Sequence, residues 1–226
     1  VGNAELALTA GEDPAEEPYL TVFGVAVGGP PGGDGLLDGI GPAPDHAEHQ
    51  ELAGAAVARH HAYPGEPPDG VAVTGPPPDA RPGLRLSKSE LFTRDLPAAA
   101  ITALVTRFAR DRVRGELRDL ELVPWGGAIG RVPSTTTAFA HRHPMYMVKH
   151  TVHLGFRASD ARRRAAHRWV TGSWATLHPW GTGLVYPNYP DPAVPAWDPA
   201  YLGANLTRLR RVKARYDPGN LFHTGG

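Results

Sequence analysis

Apolar and polar side chains alternate most regularly over Met145–Phe156. There Tyr146, Val148, His150, Val152 and Leu154 fall on one side and Met147, Lys149, Thr151 and His153 on the other. A period of two predicts a strand with one face that packs and one that can meet a ligand. Further strands are predicted at Glu5–Leu8, Tyr19–Val27, Leu117–Val123 and Thr135–Phe139, the first two able to pair as a hairpin around Gly11-Glu-Asp-Pro14. Helical spacing appears between them. Ile101, Leu104, Val105 and Phe108 form one stripe with Arg107, Arg110 and Arg112 outside it, in a helix capped by Asp95, with Pro97 in its first turn and Gly115 ending it. A second helix is predicted from an N-cap at Ser159 to about Leu177, with Ala161, Ala165 and Trp169 inward, Arg162, Arg163 and Arg164 solvated, and Pro179 and Gly181 as its stop. Glu48–His61 reads as a short helix. In a last one, Asn205–Arg215, Leu206, Leu209 and Val212 share a face. Strands alternating with long helices predict an α+β fold, an antiparallel sheet with helices packed on one face.

Composition narrows the function classes. The chain has 226 residues, enough to bury a sizeable core. Lys and Arg number 23 and Asp and Glu number 23, so there is no electrostatic case for nucleic acid or an anionic membrane surface. No apolar run approaches the roughly 18 residues that span a bilayer. With no cysteine, a disulfide framework, a thiolate metal site and a Cys nucleophile are all excluded. The histidine pairs 46/49, 60/61, 141/143 and 150/153 lack a third ligand at zincin spacing, so no metal site is expected. Ser134 and Ser173 lack a nucleophile-elbow context. Gly and Pro concentrate over 28–83 and 179–199, where long loops are expected; Gly28–Gly33 contains two prolines and reads as a loop, not a phosphate cradle. The opening Val1-Gly-Asn-Ala has neither an initiator Met nor a basic leader, as expected of a chain cut from something longer.

Candidate chemistry gathers at Tyr186-Pro-Asn-Tyr-Pro-Asp191, where two prolines hold two phenols and a carboxamide on a stiff, non-helical segment. Stiff aromatic donors beside a concave surface suit a planar ligand. This block, followed by Asn205-x-x-Arg208-Leu209-x-x-Val212-Lys213-x-x-Tyr216-Asp217-Pro218-x-Asn220-Leu221-Phe222, closely resembles the C-terminal end of berberine-bridge-enzyme-like FAD-linked oxidases. Upstream, Ser87-Lys-Ser-Glu-Leu-Phe92 before Leu96-Pro97, and Gly126-Gly-Ala-Ile-Gly130 followed by Ala138-Phe139-x-His141-Arg142, resemble the same family's substrate domain, in the family's order.

The resemblance implies a substrate-binding domain over 1–180 and a C-terminal segment, 181–226, that returns to an FAD-binding domain. That N-terminal domain, on the same or a separate chain, has no counterpart in this sequence, and without it no activity is expected. FAD is the implied cofactor, dioxygen the implied acceptor, and a small molecule the substrate: an alcohol, a sugar or a polycyclic secondary metabolite. The family's tyrosine base falls on Tyr186. A free phenol is a poor base at neutral pH unless a cation or a second phenol favours its phenolate, and Lys149 is the candidate cation. Asn188 and Tyr189 are implied on the flavin side, and Tyr146, Lys149 and His150 as substrate-binding residues, with His141, Arg142 and His143 bracing the strand entry. Two departures stand out: a Lys-x-Gln pair common in plant relatives aligns with Met147 and Lys149, and His223 stands where an Arg usually follows the terminal Phe. The alternative is a non-catalytic domain that uses the same pocket to hold a small molecule or a partner.

Overall fold

The computed structural model describes residues 2–26, 41, 43–47, 83–194 and 196–223. The expected helix at 48–61 and the loop at Gly28–Gly33 lie outside them. Two compact units are present. Residues 1–4 and 23–81 form one, described only at its strand ends and around 41–47; residues 5–22 and 82–226 form the other.

Five strands, β1 (Gly2–Ala10), β2 (Tyr19–Ala26), β3 (Leu84–Phe92), β4 (Glu116–Pro124) and β5 (Tyr146–Leu154), form one sheet in the order β2-β1-β4-β5-β3. β4 runs antiparallel to β1 and β5, and β5 antiparallel to β3. The α-helices are α1 (Ala98–Ala109), α2 (Asp160–Leu177), α3 (Trp197–Leu202) and α4 (Leu206–Tyr216). The fold is α+β, as expected. None of the described helices is long and apolar enough to cross a membrane.

Register sorts the side chains into two faces. Leu8, Leu120, His150 and Lys88 form one row across four strands, and Ala10, Arg118, Val152 and Leu86 the next. This face meets α1 and α2 in a core that includes Phe92, Leu104, Phe108, Val148, Leu154 and Trp169. Ser159 caps α2 as predicted, its hydroxyl accepting from the Arg162 N–H at 3.4 Å. The inward residues of α2 are Ala166, Trp169, Val170, Ser173 and Leu177; Ala161 is exposed and Ala165 half-buried.

The other helical and strand predictions are corrected in places. α1 buries Ala100, Leu104 and Phe108, while Ile101 and Val105 are each 47% exposed, because the helix meets its neighbours along a narrow i, i+4 line. Pro97, not Asp95, is its N-cap residue, with no side-chain cap, and the helix ends well before Gly115. Thr135–Phe139 is turn structure. Its carbonyls accept from Asn205 and Arg208 instead of from a neighbouring strand. β3, to which the sequence pattern assigns no element, is a full strand. Its Ser-Lys-Ser-Glu run hides the period, and the charges are tolerated because each finds a partner: Lys88 pairs with Asp191 and Glu90 with His178.

Candidate functional site

β3 is an edge strand, and the segment that follows α2 is fastened to it. Thr182 N–H donates to the Leu91 carbonyl at 3.1 Å and Leu91 N–H to the Leu184 carbonyl at 3.0 Å. The buried Glu90 carboxylate accepts from the Gly183 N–H at 2.7 Å and lies 3.0 Å from His178 Nδ1. Gly181 passes so close that a Cβ there would meet Glu90 Oε1 at 2.1 Å, so a side chain would have to displace that carboxylate from its bond to Gly183. At the far end, Lys88 forms an ion pair with Asp191. The Tyr201 hydroxyl accepts from the Asp191 N–H at 2.7 Å and donates to the Tyr189 carbonyl at 3.0 Å. Burial raises the Tyr201 phenol above its usual range, so it stays a neutral donor. The Ser-Lys-Ser-Glu-Leu-Phe block is therefore the strip that anchors Tyr186–Asp191 at both ends.

Between those anchors Tyr186 is set among three rings. Trp125, just past β4, meets it edge-on at 5.0 Å, Tyr189 at 5.5 Å and Phe139 at 6.1 Å. Trp125 is itself held by donation from its indole N–H to the His141 carbonyl at 3.0 Å. Tyr186 is half-buried, not sealed in, and its hydroxyl oxygen accepts from Asn188 Nδ2, on an exposed residue, at 2.9 Å. The Lys149 ammonium lies 4.7 Å from the centre of the Tyr189 ring and forms an ion pair with Glu121. The contact that reaches the Tyr186 oxygen is thus an amide donor, whereas Lys149 serves Tyr189 through a cation–π contact.

Lys149 belongs to the second face of the sheet, which is polar. Thr9 donates to Asp119 at 3.0 Å, His153 lies 3.3 Å from the same carboxylate, and Ser87 and Thr151 are joined at 3.1 Å. Tyr146 and His150 are on the opposite, helix-covered face, since the alternation that makes β5 a strand separates odd from even positions. The structure does not bring them to Tyr186. Tyr146 stacks on Phe92 at 5.2 Å and donates to the Arg94 carbonyl at 2.9 Å. His150 is 1% exposed, with Nδ1 2.9 Å from Ser173 Oγ beneath α2.

Burial pushes the His150 imidazole down to about 3, so it is neutral in the fold. The unfolded chain binds the proton below about pH 6.5 and the native state does not, so stability is intact above that value and falls as pH drops toward 3. Urea unfolding is expected to show a loss of roughly 2 kcal/mol between about pH 6.5 and about pH 4.5 from this group. His150→Gln, which keeps a neutral partner for Ser173, is expected to flatten that slope.

The last block closes the site from the other side. Asn205 Nδ2 donates to the carbonyls of Ser134 at 2.7 Å and Thr137 at 3.1 Å, and Arg208 to that of Thr135 at 2.7 Å, stapling the start of α4 to the turn that carries Phe139. Lys213, hydrogen-bonded to Asp217, holds that carboxyl below its usual range. Asp217 in turn accepts from the N–H groups of Leu221 and Phe222 and closes the tail. α4 buries no residue, and Tyr216, Leu221 and Phe222 are at least 75% exposed. Sequence reasoning missed Glu121 and Tyr201, which act as supports, quoted Lys88 and Glu90 within the Ser87–Phe92 block without giving them a role, and gave Trp125 and Phe139 no part in the Tyr186 surround. Polar residues inside a strand and aromatic residues beside turns carry no distinguishing pattern.

Residues 185–225 match the family model "Berberine and berberine like". The uncharacterized FAD-linked oxidoreductase YvdP of Bacillus subtilis is 30% identical over 157 residues, which cover 69% of this chain and 34% of that protein. The uncharacterized FAD-linked oxidoreductase YgaK of the same organism is 37% identical over 97 residues, 43% of this chain and 21% of its own length. The chain thus spans about a third or less of these curated relatives. Among solved structures, BBE-like 1 of Physcomitrella patens superposes with a TM-score of 0.72 at 23% identity, covering 97% of this chain and 46% of that one, a likeness of fold. Motif, sequence and fold agree: the chain carries the berberine-and-berberine-like domain at residues 185–225 and is similar over most of its length to one part of berberine-bridge-enzyme-like FAD-linked oxidoreductases.

Proposed function

We propose that the chain is the substrate domain, 1–180, and returning C-terminal segment, 181–226, of an FAD-dependent oxidoreductase that oxidises an alcohol, sugar or polycyclic metabolite with dioxygen as final acceptor. The observation that carries this reading is the half-buried Tyr186, its ring held by Trp125, Phe139 and Tyr189 and its oxygen reached by Asn188. The residues fit a flavin. Phenol rings and an exposed carboxamide suit the face and edge of a planar heterocycle, and the exposed apolar side chains of Leu221 and Phe222 offer surface for a further domain to cover.

When bound, the flavin supplies the acceptor for a hydride leaving the substrate carbon. Tyr186, as phenolate, takes the substrate hydroxyl proton as that carbon–oxygen bond becomes a carbonyl. Asn188 and Tyr189 would hold the flavin edge. Lys149, neutralised by Glu121, holds Tyr189 in place. The test is the visible spectrum of the polypeptide that joins this chain to its missing half. A yellow flavin band that bleaches on anaerobic addition of a substrate alcohol is expected; a colourless protein that gains neither colour nor activity would count against an enzyme.

A further inference from the structure

We propose that Asn188 is a positioning residue that sets the direction in which Tyr186 exchanges its proton. The inference rests on the base role proposed for Tyr186. Asn188 Nδ2 lies 2.9 Å from the phenol oxygen. An amide nitrogen can only donate, so the oxygen is the acceptor in that contact and its own O–H must point elsewhere. A phenol O–H prefers the ring plane, which leaves two directions, and the ring is confined by Trp125, Phe139 and Tyr189. Asn188 occupies one direction and the proton is left with the other.

The same contact changes strength during the reaction. An N–H aimed at an oxygen is worth more when that oxygen carries negative charge, so Asn188 stabilises the phenolate form of the base more than the phenol it becomes. Charged and titratable neighbours are few among the described residues. Lys149, paired with Glu121, meets Tyr189, and His141, whose imidazole burial pushes below its usual range, packs edge-on against Phe139 at 5.7 Å. The backbone of the turn, closed by the Tyr189 N–H on the Tyr186 carbonyl at 3.0 Å, holds the two side chains in register.

The experiment compares N188L, N188D and Y186F in the polypeptide joined to its flavin half. In N188L kcat is expected to fall about 10-fold to 100-fold with KM little changed. N188D, with an acceptor where the donor stood, is expected to fall further and to move the pH–rate profile to higher pH. A second readout does not depend on turnover. The Asn188 side-chain amide resonance in 15N-labelled protein is expected to move upfield in Y186F, where its acceptor is gone. An unmoved resonance overturns the inference, as does N188D turning over as fast as wild type or faster than N188L. If the N188 variants fail to fold, the resonance decides. Persistent turnover in Y186F is a separate failure, of the base role itself, and leaves the resonance result standing.

Discussion

Tyr186→Phe in the completed enzyme is expected to lower kcat by about 10²- to 10⁴-fold, the range lost when a positioned proton acceptor is removed. The substitution takes away one oxygen and leaves the ring, so the contacts with Trp125, Phe139 and Tyr189 survive. Neither the anchors at Glu90 and Asp191 nor the Tyr201 bonds involve that oxygen, and stability is expected to change little. Stopped-flow reduction of the flavin under anaerobic conditions isolates the step. If flavin reduction in the variant keeps its wild-type rate, Tyr186 is not the base, and a binding domain without catalytic duty becomes the better account.

Arg118→Met is expected to cost about 3–5 kcal/mol of stability, although methionine preserves much of the side-chain volume. Arg118 points from β4 into the helix-covered face and is almost fully buried. Its guanidinium donates to the carbonyls of Phe108 at 2.9 Å, Arg110 at 2.6 Å and Asp111 at 2.8 Å, so it satisfies the open end of α1. Asp111, with φ of 55°, adopts the left-handed conformation that turns the chain there. The same guanidinium bonds Glu116 at 2.5 Å and lies 4.6 Å from the Trp169 ring centre. Removing it leaves a buried carboxylate uncompensated and three carbonyls unpaired. Denaturant unfolding checks the loss. Adding Glu116→Gln to Arg118→Met is expected to recover part of it, because the stranded charge goes with it; a double variant no more stable than the single one would place the cost in the carbonyls alone.

Glu90 and Lys88 show why part of the site could not be read from the chain. In sequence they interrupt a hydrophobic run and mask a strand; in the fold they are the posts to which Gly183 and Asp191 are tied. Tyr146 and His150 show the converse. Their alternation with Lys149 was plain, yet which face the helices would cover is decided by the register with β3 and β4 and by α2, and it put both on the packed side.

What the sequence by itself determined here is local and periodic: the span and two-sidedness of β5, the α2 helix with its Ser159 cap, the α+β class, and the stiff Tyr186–Asp191 segment whose letters carry the family. Those follow from backbone geometry and short-range sterics, which each stretch of chain expresses without knowing its neighbours. Only the tertiary structure decided which rings surround Tyr186, which cation lies against Tyr189 and which buried charges are paired. These depend on residues such as Trp125, Glu121 and Lys88, distant in the chain, and a contact between distant residues leaves no period in the sequence.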